Sequence, residues 1–141
     1  MTAKEYLSQA YYIHKMIEAK CEQLELHKHI ATKATSVIVA KNLSGTSRAS
    51  KVEVHAEKTL MLEEEIRESL DKLYEAKRNI KQVIDSVKDE RQRVALEFYH
   101  LNFKRQWEIA EIMNYSVKHV NRILARAWRE LDKKMSFNVL F

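Results

Sequence analysis

The sequence predicts an all-α protein in which a long antiparallel helical hairpin of coiled-coil character is followed by a smaller helical domain. The 141 residues contain no proline and only one glycine, Gly45. Turns between β-strands draw heavily on both residue types, so their scarcity favours long uninterrupted helices. Apolar residues also recur at helical spacing along most of the chain. Together these observations predict helices from one end of the chain to the other, with few turns between them.

The first helix is predicted from Thr2 to about Lys33. Thr2 and Glu5 have the spacing of a capping box at its start. Its apolar residues lie three, four or seven positions apart, as in an amphipathic helix: Tyr6, Ala10, Ile13, Ile17, Leu24 and Ala31. Polar residues dilute this stripe, so the helix is expected to pack less strongly than the next one: His14, Lys20, His27 and Lys28.

The second helix is predicted from about Val54 to Val87 and carries a stronger apolar seam. Four residues repeat every seven positions, as in a coiled coil: Ile66, Leu73, Ile80 and Val87. Five more fill the partner positions: Leu62, Leu70, Ala76, Val83 and Ile84. Small polar residues around Gly45 predict a loop near residues 37–52 between the two helices. Within it, the apolar run Val37 to Ala40 either extends the first helix or packs as a turn.

The seam of the second helix needs another helix to cover it. The economical partner is the first helix, folded back as an antiparallel hairpin, which makes residues 1–89 one helical domain. The alternative partner is the same helix of a second chain, which would give a homodimer through residues 54–87. Both partners fit the pattern.

A second domain is predicted over residues 90–135, followed by an apolar tail, residues 136–141. Its first helix is expected from Glu90 to Tyr99, with four residues as its buried set: Val94, Ala95, Phe98 and Leu101. The stretch from Gln106 to Trp128 then has the pattern of two short helices joined by a tight turn, which is a helix-turn-helix motif.

Particular residues fit the requirements of that motif. Ile109 and Met113 are four residues apart, and Ala110 is small where the second helix would cross the first. Asn114 suits the turn because asparagine tolerates the left-handed backbone conformation that ends a helix. Ser116 stands where the second helix needs an N-cap. Tyr115, between them, is apolar and expected to pack.

The second helix of the motif has one apolar and one basic face. Its apolar stripe is expected to bury against the first helix: Val120, Ile123, Leu124, Ala127 and Leu131. The opposite face is expected to point outward, with Asn121 and Arg126 on its shoulders: Lys118, Arg122, Ala125 and Arg129. Cations, an amide and a small residue form a surface that can enter the major groove of double-stranded DNA and approach base edges.

The charge distribution agrees with a nucleic-acid partner for the second domain. The net charge of the chain is +5, of which residues 90–141 carry +4 and residues 1–89 carry +1. Six of the ten basic residues of the second part lie between Lys118 and Lys134. The positive charge that would attract a polyanion such as DNA is therefore concentrated on the helix-turn-helix domain.

The stretch from Glu90 to Leu131 resembles region 4 of bacterial sigma-70-type factors, the domain that reads the promoter −35 element. The similarity lies in the acid-Arg-Gln opening at Glu90 to Gln92, the WEIAEIM helix, the Ser116 cap and the V-x-x-I-L-x-R-A run that ends at Ala127. The whole chain, including the opening MTAKEYLSQAYYIHKMIEAKCEQLE and the run ATKATS at Ala31 to Ser36, also resembles a family of small phage and prophage proteins of Gram-positive bacteria. Members of that family are regarded as sigma-like regulators of phage gene expression.

This resemblance implies roles for individual residues. Val117, Lys118, Asn121 and Arg122 match base-facing positions, whereas Arg105, His119 and Arg126 match positions nearer the phosphates or the polymerase. The chain departs from the pattern at the start of the first motif helix, where a Ser or Thr cap is usual and Lys104 to Gln106 stand instead. At this position, the resemblance allows Arg105 to bind a DNA phosphate in place of the usual cap. Residues 1–89 resemble no other sigma region, so a complete sigma factor is not expected.

The leading hypothesis is therefore a sequence-specific transcriptional regulator of phage or prophage origin. Lys118 and Arg122 would read base edges, Asn121 would pair with adenine, and the other cations would hold phosphates: Arg105, Arg126 and Arg129. Dimerisation through residues 54–87 would double the DNA contacts. Two alternatives remain open: a DNA-packaging component like a small terminase subunit, and an adaptor that binds RNA polymerase.

The sequence does not predict an enzyme, a cofactor or a metal site. His27 and His29 are separated by one residue, a spacing that places them on different faces of a helix. Glu63 to Glu65 are expected on a solvated helix face, and Cys21 is the single cysteine, so no disulfide is expected within one chain. No apolar run is long enough to span a membrane and no signal-like segment begins the chain, so a protein used inside the cell is expected. The resemblance further implies the bacterial cytoplasm and an association with the nucleoid.

Overall fold

The structure, a computed structural model, describes the backbone of residues 1–41 and 46–139 and the side chains of residues 1–33 and 53–135. The prediction of an all-α fold is confirmed: the described residues form helices and contain no strand. None of the helices within these ranges is sufficiently long and apolar to pass through a bilayer.

Three of the helices extend beyond the bounds that the sequence pattern predicts. In chain order the helices are α1 (Ala3–Leu7), α2 (Gln9–Lys41), α3 (Thr46–Asp85), α4 (Glu90–Leu96), a π-helical turn (Glu97–Leu101), α5 (Gln106–Met113) and α6 (Val117–Val139). The three that extend beyond the predicted bounds are α2, α3 and α6. The predicted first helix is divided near Ser8, where α1 ends. The capping box is confirmed, because Thr2 Oγ1 accepts from the Glu5 N–H at 3.2 Å and Glu5 Oε2 accepts from the Thr2 N–H at 3.0 Å.

The predicted loop near residues 37–52 is wrong over most of its length. Residues 37–41 belong to α2 and residues 46–52 to α3, so the apolar run Val37 to Ala40 extends the first helix. Helix continuation satisfies backbone groups that a loop would leave to water. Within the predicted loop, residues 42–45 lie outside the described backbone. The predicted tail is also partly helical, because α6 runs to Val139.

The chain divides into two compact units. One contains residues 14–72, the middle of the chain, and the other contains residues 1–13 and 73–141. In the middle unit, α2 and α3 contact each other in antiparallel order: Lys20 Nζ lies 4.0 Å from Glu65 Oε2, whereas Lys28 Nζ lies 3.7 Å from Glu63 Oε1. His27 and His55 also meet there, with their Nδ1 atoms 3.3 Å apart.

Polar side chains occupy several contact positions of this middle unit. Lys20 Nζ donates to Ser69 Oγ at 3.2 Å, and the His27 and His55 rings lie between the same two helices. Leu70, which the pattern places at a seam position, is 49% exposed. Among the described residues of this unit, Ile17 is the one apolar side chain classed as buried. The unit is therefore held together by polar contacts and half-buried apolar residues rather than by a dense core.

The second unit contains the hydrophobic core. Residues of α1, of the ends of α2 and α3, and of α4, α5 and α6 are buried together: Ala3, Leu7, Ala10, Ile80, Ile84, Val87, Ala95, Leu96, Ile109, Ala110, Val120, Ile123, Leu124, Ala127 and Leu131. The α1 helix lies against α6, and the Ala3 N–H donates to Asp132 Oδ1 at 2.6 Å. The predicted boundary at residue 89 is thus displaced, because residues 1–13 and 73–89 help to form this core.

The buried set of the predicted Glu90–Tyr99 helix needs one correction. Ala95 is fully buried and Phe98 and Leu101 are partly buried, but Val94 is 36% exposed. Leu96 is fully buried and belongs to the core that α4 shares with α6. Phe103, just after the turn, has a φ of 57°. Its ring is held between Lys77 Nζ, 4.8 Å from the ring centroid, and the edge of Tyr11.

Candidate nucleic-acid interface

A tight turn joins α5 to α6. Asn114 adopts the left-handed conformation, with φ 60° and ψ 45°, and the Tyr115 N–H donates to the Ala110 carbonyl at 2.9 Å. Ser116 Oγ then accepts from the His119 N–H at 3.1 Å, which caps the start of α6. The turn residue and the N-cap residue are therefore those that the sequence predicts.

The contact between α5 and α6 fixes which face of α6 is exposed. Ile109 and Ala110 of α5 are buried, as is the whole predicted stripe of α6: Val120, Ile123, Leu124, Ala127 and Leu131. Burial of this stripe is confirmed, and Ala110 is small enough for the helices to approach closely. Because the buried stripe anchors one side of α6, the opposite side faces outward.

A shallow cleft of about 720 Å³ runs along the exposed side of α6 and is walled on the other side by the start of α4. We call it the basic cleft. Its lining combines five Lys or Arg residues with few acids: Asp89, Arg91, Gln92, Lys118, His119, Asn121, Arg122, Ile123, Ala125, Arg126 and Arg129. Asp89 is the one carboxylate in this lining and already caps α4 by accepting from the Gln92 N–H at 3.2 Å. The surface is therefore strongly cationic.

Six of the eight predicted site residues meet in the basic cleft: Lys118, His119, Asn121, Arg122, Arg126 and Arg129. The other two lie outside it. Val117, at the first turn of α6, is 44% exposed. Arg105 is the N-cap of α5, and its side chain makes no capping hydrogen bond.

His119 differs from the other residues of the basic cleft in its packing. Its ring lies 4.6 Å from that of Tyr115, edge to face, and the residue is only partly exposed. Tyr115 thus holds the His119 ring in place near the N-terminal end of α6, whereas Lys118, Asn121 and Arg122 are exposed.

Sequence reasoning missed the α4 wall of the cleft. Arg91 and Gln92 belong to the acid-Arg-Gln opening that carries part of the sigma resemblance, but the spacing along the chain gives no sign that they face α6. Arg91 is exposed and adds a fifth cation, whereas Gln92 is 4% exposed. Gln92 Oε1 is buried and has no hydrogen-bond partner among the described atoms.

An aromatic cluster supports α6 beyond the cleft. Trp128 Nε1 donates to His100 Nε2 at 3.0 Å, and the Tyr99 ring contacts both residues edge to face. Lys4 Nζ lies 4.6 Å from the centroid of the Trp128 ring. Burial lowers the pKa of His100 to about 4, with a further contribution from the Lys4 charge, against a smaller opposing effect of its hydrogen bond to the Leu7 backbone. His100 is therefore a neutral, structural histidine at pH 7.

In the described ranges, no three His, Cys, Asp or Glu side chains are close enough together to hold a metal ion. Comparison of the chain with models of protein families, with curated proteins and with solved structures finds no match.

Proposed function

We propose that this protein is a sequence-specific DNA-binding transcriptional regulator that places α6 in the major groove. The observation that carries the proposal is the basic cleft, in which α6 presents four cations and Asn121 on one exposed side. An α-helix with its side chains is about 10 to 12 Å across and the major groove of B-DNA is about 12 Å wide, so α6 fits.

The base-reading residues are Lys118, Asn121 and Arg122. They lie in the first two turns of α6, and residues near the start of a recognition helix are those that reach base edges in helix-turn-helix proteins. The Arg122 guanidinium matches the O6 and N7 acceptors of guanine, and the Asn121 amide matches N6 and N7 of adenine. Val117 stands next to them and supplies an apolar contact for a thymine methyl group.

Phosphate contacts come from the cations farther from the start of α6 and from neighbouring elements. Arg126 and Arg129 extend the basic side of α6, and Arg91 adds a cation from the α4 wall. Arg105, exposed at the start of α5, and His119, held by Tyr115, are placed for the backbone strands that flank the groove.

The regulatory role and the setting are inferred from the resemblance to sigma region 4. It supports a phage or prophage regulator that acts in the bacterial cytoplasm on nucleoid DNA and contacts RNA polymerase. We assign the middle unit to protein contacts, including a homodimer through the part of residues 54–87 that lies in this unit, residues 54–72.

Binding of Arg122→Ala and Arg129→Ala variants to specific and random duplexes separates base reading from phosphate binding. We expect Arg122→Ala to lose about 1 to 3 kcal/mol on the preferred sequence and little on random DNA. Arg129→Ala should weaken binding to both and reduce the slope of log K against log salt by about one. Lys88→Ala, on the exposed connection before α4, is the matched control and should change neither.

Equal losses on preferred and random DNA for Arg122→Ala would contradict the assignment of base reading. Native mass measurement of the same protein separates the remaining alternatives, since a ring of many subunits would indicate a packaging component. Capture of core RNA polymerase without any DNA binding would indicate an adaptor.

A further inference from the structure

Gln92 lines the basic cleft and has a polar side chain, yet it is buried. It is 4% exposed, so its side chain is more than nine-tenths buried, and it lines the cleft beside Arg91. Its backbone N–H is paired with Asp89, but its side-chain Oε1 has no donor among the described atoms. A buried acceptor without a donor lowers the stability of a fold, and such a group calls for an explanation.

Donor side chains of α6 line the same cleft as Gln92, among them Arg122 and Arg126. Because Gln92 is too buried to reach a base edge, its partner must be a side chain of the cleft rather than the DNA itself. Arg126 follows Ile123 by three residues, and Ile123 is 9% exposed and lines the same cleft. This spacing places Arg126 on the side of α6 that borders the α4 wall. Arg129, three residues farther on, lies more toward the outward side and farther along the helix.

We infer that Gln92 is a positioning residue for DNA binding, whose Oε1 accepts a hydrogen bond from the Arg126 guanidinium when that guanidinium holds a DNA phosphate. Arg126 has five N–H donors in a planar fork, so one edge can meet the phosphate while another N–H reaches Gln92. The inference rests on the proposed function, since it assigns Arg126 to a phosphate.

Such an arrangement predicts opposite effects on stability and on affinity. Removing the acceptor relieves the free protein of a buried polar atom without a donor, and it leaves the bound Arg126 without its second partner. If Gln92 only filled space in the core, its replacement would not weaken DNA binding while leaving the folding stability unchanged or higher. Gln92→Met, which is similar in length and apolar, is the appropriate variant.

The experiment measures thermal unfolding and duplex affinity for Gln92→Met, Arg126→Ala and the double variant. We expect Gln92→Met to unfold at the same or a higher temperature than the parent, yet to bind DNA roughly threefold to tenfold more weakly. In the double variant the loss should be about that of Arg126→Ala alone, because Gln92 acts only through Arg126. Additive losses, or unchanged affinity for Gln92→Met, would overturn the inference.

A second variant keeps the test independent of any change in folding. Arg126→Lys retains the charge at an exposed position but lacks the fork, and should bind roughly threefold to tenfold more weakly. Arg67→Lys, at an exposed position of α3 outside the basic cleft, is the matched control and should not change the affinity. Equal binding by Arg126→Lys and the parent would overturn the inference. Failure of Arg122→Ala to lose sequence preference would instead count against the proposed function itself, so the two outcomes are distinguishable.

Discussion

At the scale of single residues, the buried His100 makes the stability of the fold depend on pH. His100 is 1% exposed, and its Nε2 accepts the Trp128 indole N–H. That hydrogen bond requires an unprotonated Nε2, and burial disfavours the charged imidazolium ring. The folded protein therefore keeps His100 neutral down to a pH of about 4. Nothing in the sequence around His100 indicates its burial, since one histidine in a stretch of aromatic residues has no periodic signal of its own.

Stability should therefore fall as the pH is lowered from about 6.5 to about 4. In the unfolded chain His100 takes up a proton near its ordinary pKa of 6.5, whereas in the folded chain its pKa is about 4. Proton uptake by the unfolded state alone favours unfolding, by up to roughly 3 kcal/mol at the lower end. Urea unfolding of the parent and of His100→Gln, measured at several pH values between 4 and 7.5, checks this.

The His100→Gln variant isolates the histidine from other titrating groups. Its amide keeps an acceptor for Trp128 but has no proton to gain. We expect the difference in unfolding free energy between variant and parent to shrink or reverse as the pH falls. Parallel pH profiles for the two proteins would contradict the assignment of the proton uptake to His100.

At the scale of elements, the α5–α6 turn shows what the sequence can predict. Asn114 and Ser116 were expected at the turn and at the cap because few residue types satisfy those backbone requirements, and the structure places both there. The buried stripe of α6 was equally predictable, since its 3.6-residue period is uninterrupted from Val120 to Leu131.

The Asn114 backbone conformation gives a direct stability prediction. A residue with a Cβ and no compensating polar side chain pays about 1 kcal/mol or more in the left-handed region, whereas glycine does not. We expect Asn114→Ala to lower the unfolding free energy by about 1 kcal/mol and Asn114→Gly to change it by less than about 0.5 kcal/mol. Denaturant melts measure both, and equal losses would show that the turn does not require a left-handed residue.

The Ser116 cap gives a second prediction at this scale. Loss of an N-cap hydroxyl typically costs about 0.5 to 2 kcal/mol. Ser116→Ala should show a loss in that range in a denaturant melt. Ser86→Ala is a suitable control, because the Ser86 hydroxyl donates to the Val83 carbonyl at an exposed position and caps no helix start. A loss for Ser86→Ala as large as that for Ser116→Ala would remove the capping explanation.

At the scale of the whole molecule, the main difference from expectation is the shared core. The pattern of residues 1–89 is that of a separate hairpin, yet residues 1–13 and 73–89 join the compact unit that contains the basic cleft. Periodicity identifies which side of a helix is apolar but not which neighbour covers it. The α4 wall of the cleft was missed for the same reason, because Arg91 and Gln92 acquire their role only through the packing of α4 on α6.

The shared core predicts that the N-terminal residues are needed for the stability of the unit that contains the basic cleft. Leu7 is fully buried, and truncation of a buried leucine costs about 2 to 5 kcal/mol. Leu7→Ala should therefore destabilise the protein by that amount in a denaturant melt. Leu26→Ala, at a position 58% exposed on α2, should change stability by less than about 0.5 kcal/mol. Similar small changes for both variants would contradict the shared core.

The most direct test of the central claim is the selection of duplexes from a random library by the purified full-length protein. A sequence-specific regulator should enrich one shared motif, and the triple variant Lys118→Ala, Asn121→Ala, Arg122→Ala should lose that enrichment while still binding DNA weakly at low salt. Recovery of no motif by the parent, or of the same motif by the triple variant, would contradict the account that α6 reads DNA.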